Sequence, residues 1–98
     1  MIKIEINKKA GRELRKLTKK NSQLKKQLYD SILSIQENPE DGLMKYLPPK
    51  LQGIIHKKRS GDYRIIYAYK ENKIIILSVF HRKEEYDRIK KMLKTLEF

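Results

Sequence analysis

Ninety-eight residues suffice for one hydrophobic core and are too few for two ordinary domains, so a single domain over residues 1–98 is expected. Lysine and arginine number 24 against 12 acidic residues; unless it is only a solvated lysine-rich surface, the resulting +12 calls for an anionic partner such as nucleic acid, an acidic protein or a membrane face. The absence of cysteine excludes disulfides and thiolate chemistry, and no apolar run reaches transmembrane length.

Ile2, Ile4 and Ile6 alternate with Lys3 and Glu5, the pattern of a short half-buried strand and not of a signal peptide. A cytoplasmic protein without membrane contact is therefore expected. Asn7 is placed to cap a helix carrying Ala10, Leu14 and Leu17 on one stripe among many lysines and arginines. Asn21-Ser22 breaks and recaps the chain, and Leu24, Leu28, Ile32 and Ile35 mark a second amphipathic helix that Asn38-Pro39 ends. Neither helix buries its stripe alone, so the two are predicted to form an antiparallel hairpin lying on a sheet.

Residues 39–52 read as a connecting loop anchored by Leu43, Tyr46, Leu47 and Leu51. Beyond Gly53 the pattern changes to strands at about 54–59, 63–70 and 73–80, joined by turns at Ser60-Gly61 and Glu71-Asn72. A last helix places Tyr86, Ile89, Leu93 and Leu96 on one stripe. The order β-α-α-β-β-β-α gives an α+β fold: an antiparallel sheet of about four strands, an N-terminal helical hairpin and a C-terminal helix.

Cations gather around the first hairpin. A two-residue Ser60-Gly61 turn sets Lys57 opposite Arg64 and puts Lys57, Arg59 and Arg64 on one face; a three-residue loop instead pairs Lys58 with Arg64. The next turn then pairs Arg64 with Val79 and brings His81 to the same face. Arg82 lies at the start of the last helix, with Tyr86 one turn above it. Lysine and arginine at a hairpin tip often only blunt an edge, but Arg64 stands inside an apolar strand, where a lone cation needs a reason.

His56 and His81 are too few soft ligands for a metal site, and the dipole at a helix N-terminus accounts for Glu84, Glu85 and Asp87. What remains is a cationic patch with an imidazole and several phenols, and no cofactor is called for. That set suits RNA cleavage by internal attack. The 2′-hydroxyl loses a proton to a lysine or histidine whose charged neighbours disfavour protonation, and guanidinium and ammonium groups neutralise the phosphorane. Tyr86 or Tyr63 can stack on a base. DNA lacks the nucleophile.

Gly61-Asp62-Tyr63-Arg64-Ile65-Ile66-Tyr67, an isoleucine-rich strand and His81-Arg82-Lys83-Glu84-Glu85-Tyr86 together resemble the RelE/ParE superfamily of toxins from type II toxin–antitoxin modules. The resemblance is strong over residues 50–86 and includes Lys50-Leu51-Gln52-Gly53. For the RelE-like branch it implies a ribosome-dependent endoribonuclease that cuts messenger RNA in the decoding site. Its implied partners are an acidic cognate antitoxin and, through that antitoxin, operator DNA. It makes Arg64 the phosphate and transition-state arginine, Arg82 a second catalytic or phosphate-binding cation, and Tyr86 the aromatic that positions substrate. The family's basic strand residues fall on Lys57 and Arg59, while Ile55 replaces a further lysine. Lys57 is then the first choice of general base and His81 the second, with Lys58, Lys50, Lys83 and Tyr63 completing the RNA-binding surface. ParE-like relatives keep the scaffold and poison DNA gyrase; a basic RNA-binding module without catalysis is the remaining alternative.

Overall fold

A computed structural model describes residues 2–44 and 47–96. The elements are β1 (Lys3–Ile6), α1 (Lys8–Thr18), α2 (Ser22–Ile35), β2 (Ile55–Ser60), β3 (Tyr63–Lys70), β4 (Lys73–His81), a 3-10 turn (Arg82–Glu84) and α3 (Glu85–Leu96). Both helix starts are set by asparagines. The Asn7 carboxamide oxygen accepts from the Ala10 N–H at 2.7 Å, and that of Asn21 from the Leu24 N–H at 3.0 Å.

The four strands lie in the order β1-β4-β3-β2, with β2, β3 and β4 antiparallel as expected. The first strand departs from that expectation: β1 runs parallel to β4, pairing Ile4 with Ile74 and Ile6 with Ile76. Parallel neighbours need a long crossover, and the helical hairpin together with the two hairpin strands supplies it.

Each sheet face carries its own core. On one, Ala10 and Leu14 of α1 and Leu24, Leu28, Ile32 and Ile35 of α2 cover Ile65, Tyr67, Ile74, Ile76 and Val79. On the other, Met92 of α3 and Leu47 of the loop cover Ile55, Ile66 and Phe80, with Leu51, Ile89 and Leu93 partly buried around them. Two expected anchors face solvent instead: Leu43 of the loop is 55% exposed and Tyr86 of the helical stripe 76%. On α3 the buried position belongs to Met92, three residues after Ile89, which the stripe through Tyr86 passes over. Tyr46 and the Leu96 side chain lie outside the described residues.

The registers correct two readings. The first hairpin turns at Gly61-Asp62, one residue later than predicted, so Arg59 faces Arg64 and Lys57 faces Ile66. Gly61 holds φ +58° at the first central position, where a type II′ turn asks for glycine. The second hairpin turns at Glu71-Asn72 as expected, with both residues at positive φ. A bulge then intervenes: Tyr67 pairs with Ile76 but Ile66 with Ser78, leaving Leu77 as the extra residue. Arg64 consequently pairs with Phe80 and not Val79, and His81 pairs with Tyr63 on the face away from Arg64.

β2 is the outer strand, and its free edge is covered by the loop before it. Lys57 N–H donates to the Gly42 carbonyl at 2.7 Å, and Leu43 bridges to His56. Among the described residues, no helix is long and apolar enough to cross a membrane.

Candidate functional site

The alternation of β2 and β3 puts Lys57, Arg59 and Arg64 on the α3 face of the sheet, and the first residue of α3 meets two of them. Lys57 Nζ donates to one carboxylate oxygen of Glu85 at 2.8 Å, and Arg64 Nε donates to the other at 3.0 Å. The Arg64 guanidinium is also held from the main chain, its Nη1 donating to the Gly61 and Tyr63 carbonyls at 2.9 Å each. Only 12% of this side chain is exposed, so its direction is fixed by packing and these bonds. Hydrogen bonding from Lys57 outweighs burial and, with Arg64 adding to it, holds the Glu85 carboxyl below the usual glutamate range.

The hairpin carrying these cations is clasped from behind. Gln27 Nε2 of α2 donates to the Ser60 carbonyl at 2.9 Å, and the Ser31 and Ser60 hydroxyls lie 2.6 Å apart. The turn, and with it Arg59 and Arg64, is thereby tied to the rigid helical hairpin.

Two grooves flank Glu85. One, of about 740 Å³, runs along the β2 edge and is lined by Lys57, Lys58 and Arg59 together with Gly42, Leu43 and Tyr67. The other, of about 830 Å³, is lined by Arg64, Arg82, Lys83, Tyr86 and Lys90 over an apolar floor of Ile89 and Leu93. Glu85 and Ile89 belong to both.

Of the residues singled out by sequence, Lys57, Arg64, Arg82, Lys83 and Tyr86 thus gather around Glu85, with Arg59 and Lys58 in the adjoining groove. Arg82 reaches this groove from the 3-10 turn, steadied by its N–H on the Asp62 carbonyl at 2.7 Å and by the Asp62 carboxylate at 3.5 Å from Nε. Tyr63 and His81 are not brought to it: they pack edge to face, 5.2 Å between ring centres, on the other side of the sheet, and His81 Nδ1 accepts the Lys83 N–H. The bulge at Leu77 is the reason for His81, whereas Tyr63 adjoins Arg64 in β3 and alternation sends it to the other face. Lys50 is exposed in the loop and lines neither groove.

Three participants were missed in the sequence. Glu85 resembled one more acid at a helix start, and only the fold shows that it faces β2 and β3. Lys90 lies 5.9 Å over the Tyr86 ring, a spacing of four that could have been noticed. Tyr67 lines the first groove, yet burial pushes its phenol up to about 12 and its hydroxyl is committed to the Pro39 carbonyl at 2.7 Å, so its part is structural. Among the described residues, no three histidine, aspartate or glutamate side chains gather to hold a metal.

Solved structures share this architecture. The toxin–antitoxin complex RelBE2 from Mycobacterium tuberculosis is similar with a TM-score of 0.66 and 24% identity, over 83% of this chain and 98% of that one. The YoeB dimer from Staphylococcus aureus gives 0.61 and 18% identity, over 82% and 97%. The YoeB/ParE toxin from Agrobacterium tumefaciens gives 0.62 and 13% identity, over 81% and 96%. At such identities the likeness is one of fold. No curated protein matches the chain. A family model described as the ParE toxin of type II toxin–antitoxin system, parDE, matches residues 4–86. By that match, which spans every strand and both helices of the hairpin, the chain belongs to the ParE toxin family of type II toxin–antitoxin systems, within the superfamily its strand motif resembles.

Proposed function

We propose that this toxin is a ribosome-dependent endoribonuclease that cuts translated messenger RNA. The observation that carries the reading is the convergence of Lys57 Nζ and Arg64 Nε on two oxygens of a single anionic group, at 2.8 and 3.0 Å. A phosphodiester presents the same pair of oxygens to the same donors.

In this reading the 2′-oxygen attacks phosphorus as the bond to the 5′-oxygen breaks, leaving a cyclic phosphate, and the departing 5′-oxygen takes a proton from solvent to become a hydroxyl. Arg64 and Lys57 neutralise the phosphorane, and Arg82 supplies a second guanidinium from the same groove. Tyr86, almost wholly in solvent at 76% exposure, offers its ring to a base and thereby orients the sugar. Lys57 is the proposed acceptor of the 2′-hydroxyl proton when no carboxylate holds it; His81 would reach the substrate only from the far face. Arg59, Lys58 and Lys83 bind flanking phosphates.

The proposed partners are the ribosome with messenger RNA in its decoding site and a cognate acidic antitoxin, through which the toxin would contact operator DNA. Solved neighbours from Mycobacterium tuberculosis and Staphylococcus aureus are toxin–antitoxin complexes, and a chain at +12 suits an acidic, wrapping partner.

Primer extension on transcripts after brief induction tests the reading: cuts inside translated codons are expected, absent in Arg64→Ala. The second reading, a gyrase poison, is favoured by the ParE description of the matching family. It requires intact transcripts and accumulating DNA breaks in the same cells.

A further inference from the structure

Lys57 and Arg64 are largely buried diagonal neighbours on one face of the β2–β3 pair and repel, and here the repulsion is relieved from within the chain. Glu85 places one oxygen on each cation, as a bound phosphate would, and does so at the divide between the two grooves. Resting on the RNA-binding reading of this pair, we infer that the Glu85 carboxylate is an internal stand-in for the substrate phosphate, which RNA must displace to enter.

Three features support displacement over permanent structural use. Arg64 keeps its direction without Glu85, because its Nη1 is tied to the Gly61 and Tyr63 carbonyls. The seat therefore persists when the carboxylate leaves. Glu85 opens α3 and is 29% exposed, so rotation of its own side chain, with no helix movement, carries it into solvent. Each groove, at about 740 and 830 Å³, has the size of a small-ligand site, and both meet at this carboxylate. A strand whose phosphate replaces it runs from the Lys57–Arg59 groove into the Arg64–Tyr86 groove, with a nucleotide on either side. Glu85 is then a positioning residue: it holds Lys57 toward the point that Arg64 already faces and sets how strongly a polyanion must bind to take that point.

The test is fluorescence anisotropy of a labelled, fully 2′-O-methylated RNA oligonucleotide, which cannot be cut, at fixed ionic strength. Glu85→Gln is expected to tighten binding about tenfold, and Glu85→Asp, too short to span both cations, about threefold with no change of net charge. Asp87→Asn, the same charge change two residues on at an exposed site, should stay within about twofold. In an Arg64→Ala background the gain from Glu85→Gln should shrink to about the Asp87→Asn level.

Equal tightening by Glu85→Gln and Asp87→Asn, or unaltered binding by Glu85→Asp, overturns the inference while leaving the phosphate seat intact, since Arg64→Ala alone still weakens binding. Full binding by Arg64→Ala removes the seat and the inference with it, and is recognisable because no Glu85 variant is then involved. Should Glu85→Gln fail to fold, Glu85→Asp carries the decision.

Discussion

A methyl group placed on Gly42 would collide with the carbonyl oxygen of Lys57, standing closer to it than a real Cβ approaches its neighbours. The neighbouring backbone contact, Lys57 N–H to the Gly42 carbonyl at 2.7 Å, is what lets the loop lie against the edge of β2. Gly42→Ala must push the loop off that edge. It should cost about 1–3 kcal/mol in urea unfolding and lower cleavage as well, because Lys57 shifts with its strand.

Arg64→Lys should behave almost as Arg64→Ala. A lysine can meet one oxygen of the anion but cannot hold the Gly61 and Tyr63 carbonyls while doing so. Cleavage measured by primer extension on translating ribosomes should fall about 10²–10³-fold in both. Comparable activity in Arg64→Lys would show that only a point charge is needed.

The bond from Lys57 holds the Glu85 carboxyl below the ordinary value of 4.5, so this group binds its proton less readily in the folded protein than in the unfolded chain. Its contribution to stability is complete above that ordinary value and is lost as pH falls through the depressed one. Unfolding monitored from about pH 5 down to about pH 3 should therefore be steeper for the wild type than for Glu85→Gln, whose acid limb is flattened.

His56 is fully buried, stacked 5.1 Å from the Tyr67 ring, and its Nε2 has no hydrogen-bond partner among the described residues. Its Nδ1 contacts the Ile54 carbonyl at 2.8 Å, but that carbonyl also accepts the Tyr69 N–H at 2.9 Å and stays satisfied without the imidazole. His56→Phe should leave stability unchanged or raise it by up to about 1 kcal/mol, read as the urea midpoint. A large loss would mean that the ring nitrogen has a partner in solution.

Glu13 ties three elements together: it accepts from the Ser78 hydroxyl at 3.0 Å, the Val79 N–H at 3.1 Å and Arg88 Nη1 at 2.6 Å. It thereby closes the β4 edge beyond the last residue paired with β1, and docks α3. Glu13→Ala strands a buried N–H and frees the helix, and should cost about 1–3 kcal/mol; Arg88→Ala should cost less, because Val79 stays satisfied. Chemical denaturation of both variants and of the double variant gives the coupling.

Helix caps, stripes and the second turn were legible because they are local: Asn7, Asn21, the Leu24–Ile35 stripe and Glu71-Asn72 each need only neighbours in sequence. So was Arg64 as a candidate, since a cation among Tyr63, Ile65 and Ile66 is conspicuous without coordinates. What pattern could not deliver was anything that depends on a one-residue offset. The turn at Gly61-Asp62 and the bulge at Leu77 both break strict alternation, and the second sends His81 to the far face. Nor could it show that Glu85 is a partner and not surface decoration, because its ligands lie on strands 21 and 28 residues earlier.

The inward use of Glu13 has an effect at long range. It is the single acid of α1, and with it turned beneath the helix the outward side shows Lys8, Lys9, Arg12, Arg15 and Lys16 with nothing to balance them. A concentrated positive field thus emanates from a helix on the opposite side of the sheet from Arg64. On the proposed nuclease reading, capture and cutting would be spatially divided: a polyanion drawn first to the α1 flank would have to reorient before it met the Arg64 side.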